Sequence, residues 1–241
     1  MVSVLWDWSP EEAFQKPYEY DTQRQFSEEC RGFLRALLAE LGKQNMSFGR
    51  DETTFEKAAW MLSLDLVDGL LELVQLVDEK RHRAASRMFR DAIETIDLLK
   101  VLNQKTDQAA EVLRSWYAND TLSHGKCRAI LAGGYGESWK KDRSDYYYAL
   151  SKFTHRTYRA LLKSYILGGN DRLVFDGMRG GKELVLPHTI SAYYAISASL
   201  VRQALEVLQE CRMLPNSPVQ PIWAVSSPDE AQRNPGPVDV Q

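Results

Sequence analysis

From Phe26 the apolar residues Phe26, Cys30, Phe33, Leu34, Leu37, Leu38 and Leu41 recur at steps of three and four, which gathers them on one stripe of an amphipathic helix. Asp21 or Thr22 can cap its start and Gly42 can end it. A polar linker from Lys43 to Asp51 separates it from a second helix, capped by Thr53 or Thr54 and reaching about Glu79. This second helix carries two apolar rows, Phe55, Leu62, Leu66, Leu70, Leu73 and Val77 on one and Trp60, Leu64, Val67, Leu71 and Val74 on the other. A helix that is hydrophobic around much of its circumference belongs at the centre of a bundle. A third, from about His82 to Asn103, turns Ala85, Phe89, Ala92, Ile93, Ile96 and Leu99 inward.

Shorter helical patterns cover Lys105 to Ala118 and Thr121 to Ala132, after which Gly133-Gly134-Tyr135-Gly136 breaks the chain. A long helix is expected from about Asp142 to Leu167, closed by Gly168-Gly169. The β-favouring runs Leu173-Val174-Phe175 and Glu183-Leu184-Val185-Leu186 flank a glycine-rich segment and predict a short β-hairpin insertion near residues 173–186. Pro187 leads into a last helix, about Thr189 to Met213, with Tyr193, Ile196, Leu200, Ala204, Leu205 and Leu208 facing inward. Six of the nine prolines fall in residues 215–241 beside Ser, Asn and Gln, so this tail is expected to be extended or disordered. The pattern predicts an all-α chain. An N-terminal aromatic arm occupies residues 1–20, one helical bundle of five to seven helices residues 21–214, and a flexible Pro-rich tail residues 215–241.

Composition narrows the function classes. The 241 residues are 44% hydrophobic and 26% charged, enough for a soluble domain with a substantial core. Lys+Arg 30 against Asp+Glu 33 gives a net charge of -3, so binding to nucleic acid has to come from a local patch. Cys30, Cys127 and Cys211 are far apart and odd in number, which fits a reducing cytoplasm better than a disulfide scaffold. The first residues lack the basic and apolar regions of a secretory signal, and the most apolar stretch, Met61 to Val77, is interrupted by Asp65, Asp68 and Glu72. A cytoplasmic protein with no membrane partner is expected.

Metal and phosphate-loop chemistry finds no support. Glu79-Lys80-Arg81-His82 has a ligand-like spacing, but a di-iron bundle needs that motif twice. His124 and Cys127 lack the further pair a closed zinc site requires and read as isolated surface or helix-end residues. The runs Gly133-Gly134-Tyr135-Gly136 and Gly180-Gly181-Lys182 follow neither nucleotide-binding fingerprint and read as turns. No metal and no cofactor are expected.

Two charged rows carry the remaining chemistry. On the third helix Arg83, Arg87, Arg90, Glu94 and Asp97 fall within a narrow arc. A solvated face laced by ion pairs is the ordinary outcome for such a row, and the functional alternative is a pocket in which Glu94 orients Arg90 as an anion-binding fork. On the long helix Lys152, Arg156, Arg159 and Lys163 repeat opposite an apolar row. With Lys140, Lys141 and Arg143 upstream, they interleave with Trp139, Tyr146, Tyr147, Tyr148 and Tyr158, a combination suited to phosphates and stacked bases of single-stranded RNA. His155 lies on the flank of this row.

The stretch Arg87-Met-Phe-Arg90-Asp-Ala-Ile-Glu94 resembles the Arg-x-x-x-Glu helix of a family of uncharacterised bacterial helical proteins. Leu150-Ser151-Lys-Phe-Thr-His155 is similar to that family's Leu-Ser-x-x-x-His helix, and the resemblance spans roughly Ala58 to Gln209 in element order. That family is distantly HEPN-like. The resemblance implies a helical bundle, often a homodimer, in some members a metal-independent ribonuclease or a defence or toxin component. The HEPN signature of Arg, four to six residues and His is absent here, since His82, His124, His155 and His188 all lack an Arg at that distance upstream. Two functions therefore stand open. One is a nucleic-acid-directed module with His155 as acid or base, Arg90 as phosphate clamp, Glu94 as its orienter, and Lys152, Arg156, Arg159 and Lys163 along the RNA. The other is a non-catalytic scaffold that takes a protein partner through the N-terminal arm or the C-terminal tail.

Overall fold

A computed structural model of the chain describes residues 8–155, 158–162, 164–175 and 187–214. Its helices are α1 (Pro10–Gln15), α2 (Tyr20–Gly42), α3 (Phe55–Asp78), α4 (His82–Leu102), α5 (Asp107–Tyr117), α6 (His124–Thr154), α7 (Tyr158–Leu162) and α8 (Pro187–Glu210), with strands β1 (Tyr165–Leu167) and β2 (Leu173–Phe175) between α7 and α8. The all-α bundle with a short hairpin is thus present. None of the described helices is long and apolar enough to cross a membrane.

Helix α3 starts where Thr54 accepts the Lys57 N–H at its N-cap and packs against α2, α4 and α8. Its two apolar rows explain why. Leu66, Val67, Leu70, Leu73, Val74 and Val77 are all buried, facing Phe26, Leu34 and Leu37 of α2, Phe89, Ile93 and Ile96 of α4, and Leu200 and Leu208 of α8 within one core. A smaller core joins Val101 and Leu102 of α4, Val112 of α5, and Cys127 and Leu131 of α6. In the N-terminal segment, Ser9 and Glu12 form a reciprocal capping box at α1, α1 packs on α8, and the Trp8 ring lies 5.0 Å from that of Tyr18.

The second half of the chain departs from the pattern-based expectation. The glycine run does break the helical path, at Gly136, whose non-helical φ of 88° and ψ of 166° only glycine adopts without strain. Helix α6 is thus two helical segments joined across a kink, and the second starts there rather than at Asp142. One helix does not continue from Asp142 to Leu167, because α6 stops at Thr154 and Tyr165–Leu167 is a strand. The expected hairpin pairs Leu173–Phe175 with this preceding strand, Tyr165 opposite Phe175 and Leu167 opposite Leu173. Gly168 makes the turn possible, since a Cβ there would meet the Val174 side chain at 2.8 Å. Residues 183–186, the tail 215–241, and Trp6 of the arm lie outside the described residues.

Three helices end in the same way. After α3, α5 and α8 the chain enters the left-handed region at Lys80 (φ 56°), Asn119 (φ 62°) and Arg212 (φ 58°). Each end shows paired reversed bonds, as when Lys80 N–H reaches the Val77 carbonyl and Arg81 N–H that of Leu76. Glycine is the usual residue there, and a lysine or arginine costs about 1 kcal/mol in conformational strain.

Leu66→Ala is expected to lower stability by about 2–5 kcal/mol, through lost burial and the cavity left in the main core, read as the urea midpoint. Arg212→Gly is expected to raise the thermal midpoint by about 2 °C by relieving the left-handed strain.

Candidate functional site

The polar row of α4 is covered by α6. Arg143 of α6 reaches Asp97, while Tyr147, one turn later, reaches Glu94, nearly one turn earlier on α4, so the two helices run antiparallel along this seam. Asp97 is fully buried. Its carboxylate accepts from Arg143 Nε at 3.0 and 3.1 Å and from Arg143 Nη2 at 2.6 Å. Arg143, itself 10% exposed, passes its remaining fork to Gln203 of α8 at 2.8 Å. One carboxylate thereby ties three helices.

His124, the first residue of α6, lies 2.7 Å from Asp97 through Nε2. Its Nδ1 faces Arg128 Nη1 at 2.8 Å. A guanidinium can only donate, so Nδ1 accepts and Nε2 carries the proton shared with Asp97. Tyr147 completes the cluster. Its hydroxyl donates to Glu94 Oε1 at 2.7 Å, and its ring lies 5.1 Å from the Arg90 guanidinium and 4.6 Å from that of Arg128. The His124 ring is 4.4 Å away. Arg90 Nε donates to the same Glu94 oxygen at 2.7 Å.

The electrostatics follow from these contacts. Burial pushes the Asp97 carboxyl up, but the hydrogen bonds from His124 and Arg143 and the Arg143 charge outweigh it and hold the group below its ordinary range. Glu94 behaves alike: burial opposes ionisation, and Tyr147 and Arg90 prevail. Arg90 is held above its usual value mainly by the Glu94 bond. Asp91, desolvated and facing Asp65 and Glu94, moves the other way, upward. Beside them Asp91, Glu94, Thr95, Leu98, His124 and Cys127 line an open groove of about 180 Å³. The Cys127 thiol there is pushed up to about 11 by burial and by Asp97, which leaves it a poor nucleophile.

Of the residues singled out in the sequence, Arg90 and Glu94 are brought together, each side chain 34% exposed. His155 is not with them. It is exposed and caps the C-terminus of α6, on the row of Arg143, Tyr147 and Ser151 but two turns, about 12 Å along the axis, beyond Tyr147. Lys152 is exposed, its ammonium 4.5 Å from the Tyr148 ring. Arg156 and Lys163 lie outside the described residues, as does the side chain of Arg159. Several groups expected on an RNA-facing surface turn inward instead. Arg143 is consumed by Asp97, Tyr146 and Tyr147 pack on the main core, and Trp139 on the smaller one.

His124 is the residue that sequence reasoning passed over as an isolated helix-end group, and its side chain is only 7% exposed, with partners on both nitrogens. Two spacings of four, His124 to Arg128 and Arg143 to Tyr147, answer the Arg90–Glu94 spacing on α4 and were the available signal. Among the described residues, no group of three or more His, Cys, Asp and Glu side chains could hold a metal ion. No protein family, curated protein or solved structure matches the chain.

Asp97→Ala, which strands the Arg143 guanidinium in a nearly closed site, is expected to cost about 3–5 kcal/mol. Because the folded-state pKa of Asp97 is depressed, its contribution is complete above the unfolded value of about 4 and is lost as pH falls through the folded value. Urea midpoints measured from pH 7 downward should therefore fall more steeply for the parent than for Asp97→Ala.

Proposed function

We propose that this protein is a nucleic-acid-directed helical module of the HEPN-like kind, cytoplasmic, acting on RNA phosphodiesters without a metal. The observation that carries the reading is the convergence of Arg90, Arg128, His124 and Glu94 around the Tyr147 ring at the edge of a groove. Three guanidiniums, those of Arg90, Arg128 and Arg143, are matched by three carboxylates, Glu94, Asp97 and the groove-wall Asp91, so an anion would be held by Arg90 and Arg128 changing partners rather than by a surplus of positive charge. Arg90 and Arg128 are spaced by the Tyr147 ring as two forks for one phosphate and its neighbour. The free, buried Cys30, Cys127 and Cys211 fit a reducing compartment.

Cleavage in this reading is transfer to the adjacent hydroxyl. A base takes the proton of the ribose 2'-hydroxyl, the oxygen attacks phosphorus, the bond to the 5'-oxygen breaks, and that oxygen takes a proton. The products are a 2',3'-cyclic phosphate and a 5'-hydroxyl. His124 is the proton carrier within reach of the arginines, and Asp97 fixes its tautomer as a buried carboxylate does in hydrolytic dyads. Its Nδ1 is capped by Arg128. Catalysis therefore requires Arg128 to leave the imidazole for the phosphate, which exposes the lone pair only when substrate is present. His155 is the alternative proton carrier on the same row. The full satisfaction of Asp97 and His124 favours a second reading, in which the network is a structural clasp of a non-catalytic scaffold with a protein partner or a second copy.

Cleavage of a mixed RNA pool in the presence of a chelator separates these. Parent activity is expected to drop by a factor of about a hundred or more in His124→Gln, which can still bond Asp97, and in Arg128→Gln, with thermal midpoints near parental. Loss in His155→Ala with His124→Gln active would move the chemistry to the end of α6. No cleavage by the parent would overturn the ribonuclease reading and leave the scaffold as the better account.

A further inference from the structure

On the other side of the bundle, the turn after α3, the first half of α2 and the start of α8 enclose a second cavity of about 270 Å³. Its charged lining is Arg24 and Arg31 from α2, Lys80 from the turn, and one carboxylate, Asp78. That carboxylate is occupied by the walls. It accepts from Ser27 Oγ and from the Tyr194 hydroxyl at 2.7 Å, and lies 3.5 Å from Arg31. Asp21 lies 3.8 Å from Arg24 and both side chains face solvent, 87% and 63% exposed, so this rim pair is screened. Inside the cavity Arg31 and Lys80 stand against the one carboxylate of Asp78, a surplus of one positive charge.

Lys80 is the unexpected member. Its backbone is left-handed, at a helix end where glycine is free of strain, yet the chain places a long cationic side chain there, lining the cavity. Desolvation holds its ammonium below its usual value, opposed by Asp78, a cost that a bound anion removes. At the mouth the Tyr20 ring is 70% exposed, and Gln23 is fixed by donating to the Tyr18 carbonyl and to Ser191. The volume exceeds that of a lone oxyanion, and an aromatic ring beside a cationic floor suits a ligand with a dianionic head and a flat organic body.

We propose that this cavity binds a small phosphorylated ligand through its phosphate monoester, with Arg31 and Lys80 on the phosphate, Arg24 at the rim and Tyr20 against the organic part. None of these residues belongs to the α4–α6 cluster, so the proposal stands apart from the RNA reading.

The probes are 5'-AMP, adenosine and inorganic phosphate, titrated calorimetrically into the full chain. AMP is expected to bind at least about tenfold more tightly than adenosine, and phosphate to displace it. Lys80→Gly gives a test that misfolding cannot mimic. It should raise the thermal midpoint by relieving the left-handed residue while weakening AMP about tenfold. Lys43→Gln, an exposed charge outside the cavity, should bind as the parent does. Adenosine binding as tightly as AMP, failure of phosphate to compete, or unchanged AMP affinity in Lys80→Gly would each overturn the proposal.

Discussion

A carboxylate held at zero exposure is the constraint on which this half of the molecule depends. Burying the Asp97 charge costs several kcal/mol unless opposite charge and hydrogen bonds meet it, and the fold meets it from two neighbouring helices: Arg143 and His124 of α6 and, through Arg143, Gln203 of α8. Those contacts fix the antiparallel register of α6 on α4. Once Arg143 is seated on Asp97, Tyr147 falls one turn further along and meets Glu94. The geometry of the candidate site is a consequence of neutralising one buried acid.

Burial grades outward from that acid. Asp97 is closed, His124 and Arg143 are nearly so, and Arg90 and Glu94 are a third exposed. The closed end contributes rigidity, and the open end offers guanidiniums that can exchange partners. Arg128 lies at the junction, bonded to an imidazole nitrogen and stacked on a tyrosine, which makes it the group whose displacement would turn a satisfied network into a reactive one. Asp78 repeats the device elsewhere with another outcome. It too ties helices together through hydroxyls and an arginine, but its surroundings carry more cations than it can neutralise, and a cavity remains.

Much of the bundle was legible in the sequence because local and tertiary forces agree there. The apolar stripe of α2, the double row of α3 and the stripe of α4 each follow helical period, and Thr54 caps α3 where a threonine before the first apolar residue predicts it. The Arg90–Glu94 pair was legible for the same reason, since i,i+4 spacing on one helix decides it without reference to the rest of the chain. Helix α6 was not. It packs a polar row against the polar row of α4, and the break at Gly136 shifts the phase between its two segments, so its apolar positions show little helical period over the whole span.

What the sequence determined by itself is the set of stripes, caps and single-helix pairs, because these depend on neighbours within about four positions. Only the tertiary structure decided that His124 and Asp97, 27 residues apart, share a proton. It also decided that Arg143 faces a buried acid rather than solvent and that His155 stands two turns along α6 from Tyr147, the residue that meets Glu94. Each depends on the register of α6 along α4. That register is set by neutralising one charge in the interior, a long-range electrostatic requirement for which the spacings of four on each helix name the groups but not their partners.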